Sequence, residues 1–116
     1  MVTNSVEEWV EAYTHAWGNN SPQAIERLFS EDARYLTAPH RDPWAGTQAI
    51  VAGWLDRADD PGSWEFRYEV LAVAGERAFV RGWTAYSDGS RFSNLWVLRL
   101  AADGRCSEFT EWWMKE

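Results

Sequence analysis

The sequence predicts an α+β domain in which three helices precede a mainly antiparallel sheet. The first observation is a change of period. Apolar residues recur at helical spacing up to about residue 58 and alternate with polar residues from Trp64 onward. The second is a set of short turn signals in the later half, Ser87-Asp88-Gly89-Ser90 and Asp103-Gly104. Helices followed by a strand meander favour packing of the helices on one face of a curved sheet.

The length and composition predict one compact domain over residues 1–116, and nine Trp are more than an ordinary core needs. This excess predicts an aromatic cavity or a buried subunit interface. A net charge of −7 with dispersed basic residues argues against a nucleic-acid partner. A single cysteine, Cys106, excludes an intrachain disulfide. No signal peptide and no apolar run of membrane-spanning length are visible, so we expect a cytoplasmic protein without a membrane partner.

The first helix is expected to begin at a capping box, Ser5-Val6-Glu7-Glu8, and to end at Gly18-Asn19-Asn20. Its apolar face is predicted to consist of Val6, Trp9, Val10, Tyr13 and Trp17.

The second helix is expected to be capped by Ser21, with Pro22 at its first position, where a missing amide costs nothing. Ile25, Leu28 and Phe29 should form its buried face. Glu31-Asp32 should close the helix, and a strand should begin at Ala33 and include Leu36.

A loop containing Pro39 and Pro43 follows and should be held extended, since proline disfavours helix at the preceding residue. The third helix should cover about residues 47–58 and end at Asp59-Asp60-Pro61-Gly62. Gly53 in its middle predicts close packing against another backbone. The residues that this helix should bury are Ile50, Val51, Trp54 and Leu55.

Four strands are predicted from Trp64 onward, over about residues 64–72, 77–87, 91–100 and 105–114. In the first of them one face should carry Trp64, Phe66, Tyr68, Val70 and Ala72. Alternation does not decide which way Arg81 and Trp83 point in the second.

The last strand is apolar on both faces, with Phe109, Glu111 and Trp113 on one side and Thr110, Trp112 and Met114 on the other. A strand of this kind must be covered twice, and the helices cover only one face. The simplest second cover is another copy of the chain, so we expect a homodimer.

Four segments resemble the NTF2-like superfamily, the conical α+β barrel of ketosteroid isomerases, SnoaL-type polyketide cyclases and limonene epoxide hydrolases. They are the helix Trp9–Trp17, the stretch Ala24–Ala33, the Gly-Thr-Gln-Ala-Ile opening of the third helix, and Asp103–Trp113. The resemblance covers essentially the whole chain and implies a strongly curved sheet around a pocket. It implies no single activity, because this fold hosts many functions.

The resemblance to ketosteroid isomerases places Tyr13 where that family has the tyrosine that hydrogen-bonds the enolate oxygen. The general-base aspartate would fall at Thr37 or Ala38, and the second oxyanion-hole residue near Trp96, so neither acid is present. We therefore exclude steroid isomerisation by that mechanism. Arg81-Gly82-Trp83 lacks the Arg-x-Asp pair of the epoxide hydrolases, which disfavours that activity too.

The resemblance to SnoaL-type cyclases implies that Glu111 points into the pocket and could move protons with Tyr13, without metal or cofactor. A carboxylate among aromatic rings loses hydration, which raises its pKa. The alternatives are a Glu111 paired with Arg81 or Arg99, or one that faces solvent or a partner subunit. His15 and His40 have no ligand partners at suitable spacing, so no metal site is predicted.

Three functions remain open at this point. The first is binding of a small apolar, aromatic or polycyclic ligand. The second is a cofactor-free isomerase or cyclase that uses Glu111 with Tyr13. The third is a non-catalytic dimerisation module whose cavity is filled by its own tryptophans. Besides these two residues, the predicted pocket consists of Trp9, Trp17, Tyr35, Trp54, Asn94, Trp96, Phe109 and Trp113.

Overall fold

The computed structural model describes residues 3–116 and contains three helices and six strands in them. The helices are α1 (Thr3–Asn19), α2 (Pro22–Leu28) and α3 (Thr47–Asp56). The strands are β1 (Phe29–Leu36), β2 (Trp44–Ala45), β3 (Trp64–Ala74), β4 (Arg77–Tyr86), β5 (Arg91–Leu100) and β6 (Cys106–Lys115). None of the helices in this part of the chain has both the length and the apolar character that crossing a membrane requires.

The six strands form one open sheet in the order β2-β1-β6-β5-β4-β3. All neighbours are antiparallel except β1 and β6, which run parallel and bring the two halves of the chain together. The helices cover the inner face of this sheet, where the buried strand residues lie. The predicted α+β architecture, with helices on one face of a mainly antiparallel sheet, is confirmed.

The apolar face of α1 is as predicted, with Val6, Trp9, Val10 and Tyr13 buried and Trp17 half-buried. The start of the helix differs from the prediction. Since α1 already includes Thr3, Ser5 is its third residue rather than the residue before it, and the predicted capping box is wrong.

The cap of α2 is confirmed: Ser21 has extended backbone, and its Oγ accepts a hydrogen bond from the Ala24 amide at 3.3 Å. The end of α2 differs from the prediction. Phe29 is the first residue of β1, which pairs it with Cys106, so Glu31 and Asp32 lie in the strand instead of closing the helix.

The proline-containing loop is not extended throughout. It turns at Ala38, whose carbonyl oxygen accepts from the Arg41 amide at 3.1 Å, and it then forms β2, which pairs with Arg34 and Tyr35 of β1. Trp44 of β2 packs against α3 at Gly53, where a β-carbon would overlap the Trp44 ring. Gly53 therefore does allow close packing, but against a side chain rather than a backbone.

Two burial predictions fail for local reasons. Helix α3 ends at Asp56, and Leu55 in its last turn is 40% exposed. In β3 the register shifts between Val70 and Ala72, so Ala72 is exposed, and Val73 is the next half-buried residue.

The outer face of the sheet carries Arg81 and Trp83, which answers the question that alternation leaves open. Their neighbours on β4, Val80 and Thr84, are buried on the inner face. The guanidinium groups of Arg67 and Arg81 lie 4.3 and 4.8 Å from the centre of the Trp83 ring.

Candidate functional site

A cavity of about 310 Å³ opens between the helices and the inner face of the sheet. Helices α1 and α3, the segment that follows α3, and strands β1, β2, β4, β5 and β6 all contribute to its wall. The lining residues are Tyr13, Trp17, Tyr35, Thr37, Trp44, Trp54, Arg57, Ala58, Asp59, Thr84, Tyr86, Phe92, Asn94, Trp96, Glu111 and Trp113.

Aromatic rings make up most of this wall, and they pack on one another. The ring of Tyr13 lies 4.6 Å from that of Trp96 and 4.8 Å from that of Trp54, centre to centre. Tyr35 stacks on Trp44 at 4.9 Å. Because each ring is held by its neighbours, the wall is a preformed apolar surface.

Glu111 presents a carboxyl group to this aromatic cavity. Its Oε2 accepts hydrogen bonds from Asn94 Nδ2 and from Trp96 Nε1, both at 2.9 Å. Asn94 is oriented in turn, because its Oδ1 accepts from the Thr84 hydroxyl at 2.8 Å. None of the described side chains, those of residues 5–116, donates to Glu111 Oε1, so this oxygen keeps its capacity to accept a hydrogen bond.

Burial raises the pKa of Glu111 above its ordinary value of 4.5, whereas the hydrogen bonds from Trp96 and Asn94 and the charge of Arg57 act in the opposite direction. The two ion pairs in residues 3–116 join Arg81 with Glu69 and Arg105 with Asp103. Glu111 is thus not paired with Arg81 or Arg99. When it is protonated, its proton must lie on Oε1, since Oε2 already accepts two N–H groups.

The hydroxyl groups of Tyr13 and Tyr35 are hydrogen-bonded to each other at 2.8 Å. Burial raises the pKa of both, and the Glu111 carboxylate acts in the same direction. Both therefore stay protonated. One of the two protons is shared within the pair, and the other remains available as a donor.

A second carboxylate, Asp59, lies on the same cavity. Its Oδ2 accepts hydrogen bonds from Trp17 Nε1 at 2.9 Å and from the Tyr86 hydroxyl at 3.1 Å. Burial and this carboxylate raise the pKa of Tyr86, so the hydroxyl remains a donor. Arg57, which precedes Asp59 by two residues, also lines the cavity and is exposed.

Eight of the ten predicted site residues line this cavity, and Trp9 and Phe109 do not. Trp9 is buried and donates its indole N–H to the Leu28 carbonyl oxygen at 2.9 Å. Phe109 is fully buried between the rings of Trp9 and Tyr35. Trp113 lies at the rim, where it is 46% exposed.

Several lining residues are not predicted from the sequence. The pattern around Asp59 indicates only a helix stop, and Thr84 and Tyr86 lie on β4, where alternation does not decide the facing. The alternation of small residues along β4 is the sequence signal that would have placed Thr84 on the inner face of the sheet. Nothing in the sequence near Asp59 marks it as a cavity residue, because its partner Trp17 lies 42 positions away in α1.

Residues 3–116 contain no group of three or more His, Cys, Asp or Glu side chains placed to hold a metal ion. His40 is exposed and is not among the residues that line the cavity.

Comparison with known proteins agrees with the fold. Residues 10–109 match the family of SnoaL-like domains. A candidate ketosteroid isomerase from Kribbella flavida DSM 17836 has a TM-score of 0.74 at 21% identity, over 98% of this chain and 81% of its own. An NTF2-like protein of unknown function from Mesorhizobium loti has a TM-score of 0.68 at 26% identity, over 97% and 93% of the two chains.

A ketosteroid isomerase-like protein from Erwinia carotovora atroseptica SCRI1043 has a TM-score of 0.68 at 18% identity, over 93% of this chain and 92% of its own. No curated protein matches the chain in sequence. The similarity to these solved structures shows the fold. The match to the family of SnoaL-like domains covers most of the chain and shows the family. The protein therefore belongs to the SnoaL-like domain family, within the NTF2-like superfamily.

Proposed function

We propose that the protein binds a small aromatic or polycyclic molecule in the cavity around Glu111. The observation that supports this most is an aromatic-walled space of about 310 Å³ with a half-free carboxyl group inside it. Ligand pockets of this kind are mostly apolar, begin at roughly 300 Å³, and fix orientation with a few polar groups. The volume also disfavours the alternative in which the protein's own tryptophans fill the space.

A flat ring system can lie in the cavity against the aromatic wall that Tyr13, Trp54 and Trp96 form, where it gains apolar contact without separating these packed rings. Glu111 Oε1 and the Tyr13–Tyr35 hydroxyl pair are among the polar groups of the cavity. We expect a hydroxyl or carbonyl group of the ligand to lie near them.

Binding can be tested by calorimetric titration with 2-naphthol and naphthalene, using one variant that fills the cavity. Ala58 lines the cavity, whereas Ala52, also exposed and in α3, does not. Ala58→Trp should weaken 2-naphthol binding by about tenfold or more, because the indole occupies ligand space. The control Ala52→Trp should bind like the wild type. Failure of the wild type to bind either compound would contradict the proposal, as would equal affinity in both variants.

A second candidate function, cofactor-free acid–base catalysis, is favoured by the free Oε1 of Glu111 and its raised pKa. In this hypothesis the Glu111 carboxylate takes a proton from a carbon next to a ketone. A hydrogen bond from Tyr13 stabilises the enolate oxygen, and the protonated Glu111 then returns a proton to carbon.

Exchange of hydrogen for deuterium in 2-tetralone in D₂O, followed by NMR, tests this second candidate. The wild type should accelerate exchange next to the carbonyl, and Glu111→Gln should bind the ketone but lose the acceleration. An exchange rate in the wild type no greater than that of buffer would leave binding as the function.

We also propose a homodimer formed through the outer face of the sheet. Trp112 and Met114 of β6 are 40% and 71% exposed there, and Leu95 of β5 pairs with Trp112. Exposed apolar residues that adjoin one another on a sheet mark an interaction surface. A stable pair buries roughly 1,200–2,000 Å² in total.

Sedimentation at micromolar concentration tests the dimer. Trp112→Lys should give monomers, because a lysine would have to be desolvated in the interface. Leu55→Lys is the matched control, since Leu55 is as exposed as Trp112 but lies on α3. A wild type that sediments only as a monomer would exclude the interface.

A further inference from the structure

Asp59 is held in place from several directions. Its Oδ2 accepts from Trp17 of α1 and from Tyr86 of β4, and its main-chain oxygen accepts from Asn20 Nδ2 at 3.0 Å. If the only role of this carboxylate were to link these elements, we would expect both of its oxygens to accept hydrogen bonds from the protein. Oδ1, however, accepts no hydrogen bond from the side chains that the structure describes, those of residues 5–116, and Asp59 lines the cavity.

The arrangement repeats that of Glu111. In both cases one oxygen accepts an indole N–H and a second donor, from Trp96 and Asn94 at Glu111 and from Trp17 and Tyr86 at Asp59. The other oxygen is left over. The two acids come from different walls, β6 and the segment after α3. The cavity thus offers two oriented acceptor positions on different elements of its wall.

We propose that Asp59 is a second anchoring residue, which binds a neutral hydroxyl group at the other end of the ligand. This inference rests on the proposed binding function and narrows the ligand to ring compounds with hydroxyl groups at two ends. A carboxylate oxygen without a partner accepts O–H or N–H groups. Arg57 lines the same cavity, and its positive charge offsets the attraction of the Asp59 carboxylate for a protonated amine, so a neutral hydroxyl is the partner that we propose.

The proposal predicts a preference between two similar probes, 2,6-dihydroxynaphthalene and its monomethyl ether 6-methoxy-2-naphthol. Only the diol has donors at both ends. The wild type should bind the diol about tenfold more tightly, the effect expected when one hydrogen bond to a charged group is lost.

The variant Asp59→Asn distinguishes anchoring from a purely structural role. The remaining carbonyl oxygen still accepts from Trp17 and Tyr86, while the amide NH₂ replaces the free acceptor by a donor. The preference for the diol should therefore disappear or reverse in favour of the ether. Asp60→Asn is the control, because Asp60 is exposed and does not line the cavity; it should keep the wild-type preference.

Equal affinities for the two probes in the wild type, or an unchanged preference in Asp59→Asn, would overturn the proposal. Should that variant fail to fold, the ¹³C resonance of the Asp59 carboxyl in the wild type replaces it, and it should shift with the diol but not with the ether. Absence of any binding, including that of 2-naphthol, would instead disprove the binding function, and this inference with it.

Discussion

The core of this protein has a closed end and an open end, and tryptophan serves them differently. At the closed end Trp9 donates its indole N–H to the main-chain oxygen of Leu28 and packs on Phe29 and Phe109. At the open end Trp96 and Trp17 donate to the carboxyl groups of Glu111 and Asp59.

The difference is in what remains after the indole is satisfied. A backbone oxygen at the closed end leaves nothing for a ligand, and the space is filled by rings. A carboxyl group at the open end has a second oxygen, and that oxygen adjoins empty space. Whether an aromatic-rich core offers a binding site therefore depends on which groups accept the indole N–H bonds more than on how many tryptophans the core contains.

The largest effect should come from emptying the closed end. Phe109→Ala removes a fully buried ring that contacts Trp9, Tyr13, Tyr35 and Trp96. We expect a loss of about 3–5 kcal/mol in the free energy of unfolding, measured by urea denaturation. A loss below about 1 kcal/mol would show that this end of the core is not closely packed.

An intermediate effect is expected where α3 meets β2. The β-carbon of Gly53→Ala would overlap the ring of Trp44, which is itself stacked on Tyr35. We expect a net loss of about 1–3 kcal/mol from overpacking, despite the better helix propensity of alanine. The control is Gly18→Ala in α1, where nothing lies within 4 Å; thermal melts should show it equally or more stable than the wild type.

The next prediction concerns how stability depends on pH. The pKa of Glu111 is raised in the folded state, so between its ordinary value of 4.5 and the folded value the folded chain binds more protons than the unfolded chain. The stability that Glu111 contributes is complete below that window and is lost as the pH rises through it.

Glu111→Gln removes this loss while keeping an acceptor for Asn94 and Trp96. Its free energy of unfolding should therefore rise relative to that of the wild type as the pH increases above 4.5. Denaturation at a series of pH values measures the difference. A difference that is constant with pH, or that falls, would contradict a desolvated carboxyl group.

The smallest effect should be at the rim of the open end. Trp113 is nearly half exposed and contacts Phe92 edge to face at 5.9 Å. We expect Trp113→Ala to cost about 1 kcal/mol, clearly less than Phe109→Ala, since nearly half of this indole is already exposed to water. If Trp113→Ala costs as much as Phe109→Ala, the open end of the core is as closely packed as the closed end.

Local patterns predict most of this fold. Helical spacing identifies the buried face of α1, the Ser21-Pro22 pair identifies the start of α2, and alternation identifies the strands of the meander. The failures depend on distant partners. Phe29 is a strand residue because it pairs with Cys106, and β2 exists because Trp44 pairs with Tyr35.

The residues of the candidate site also fall into those that local patterns predict and those that depend on distant partners. Alternation along β5 predicts that Asn94 and Trp96 share a face, and the family resemblance implies that Glu111 points into the pocket. Asp59 could not be predicted, since its partners Trp17 and Tyr86 belong to other elements. Trp9 and Phe109 were assigned to the pocket because a pattern of faces does not tell which end of a core is filled.

The parallel pairing of β1 with β6 has a consequence for how the chain folds. The meander from β3 to β5 joins neighbours in sequence and can form early, whereas β1 can join the sheet only when the last strand is present. The β1 part of the sheet therefore joins the meander only after β6 has formed. Because closing so long a loop is slow, we expect the pairing of β1 with β6 to be a late step of folding, and loss of β6 to leave β1 and the meander unjoined.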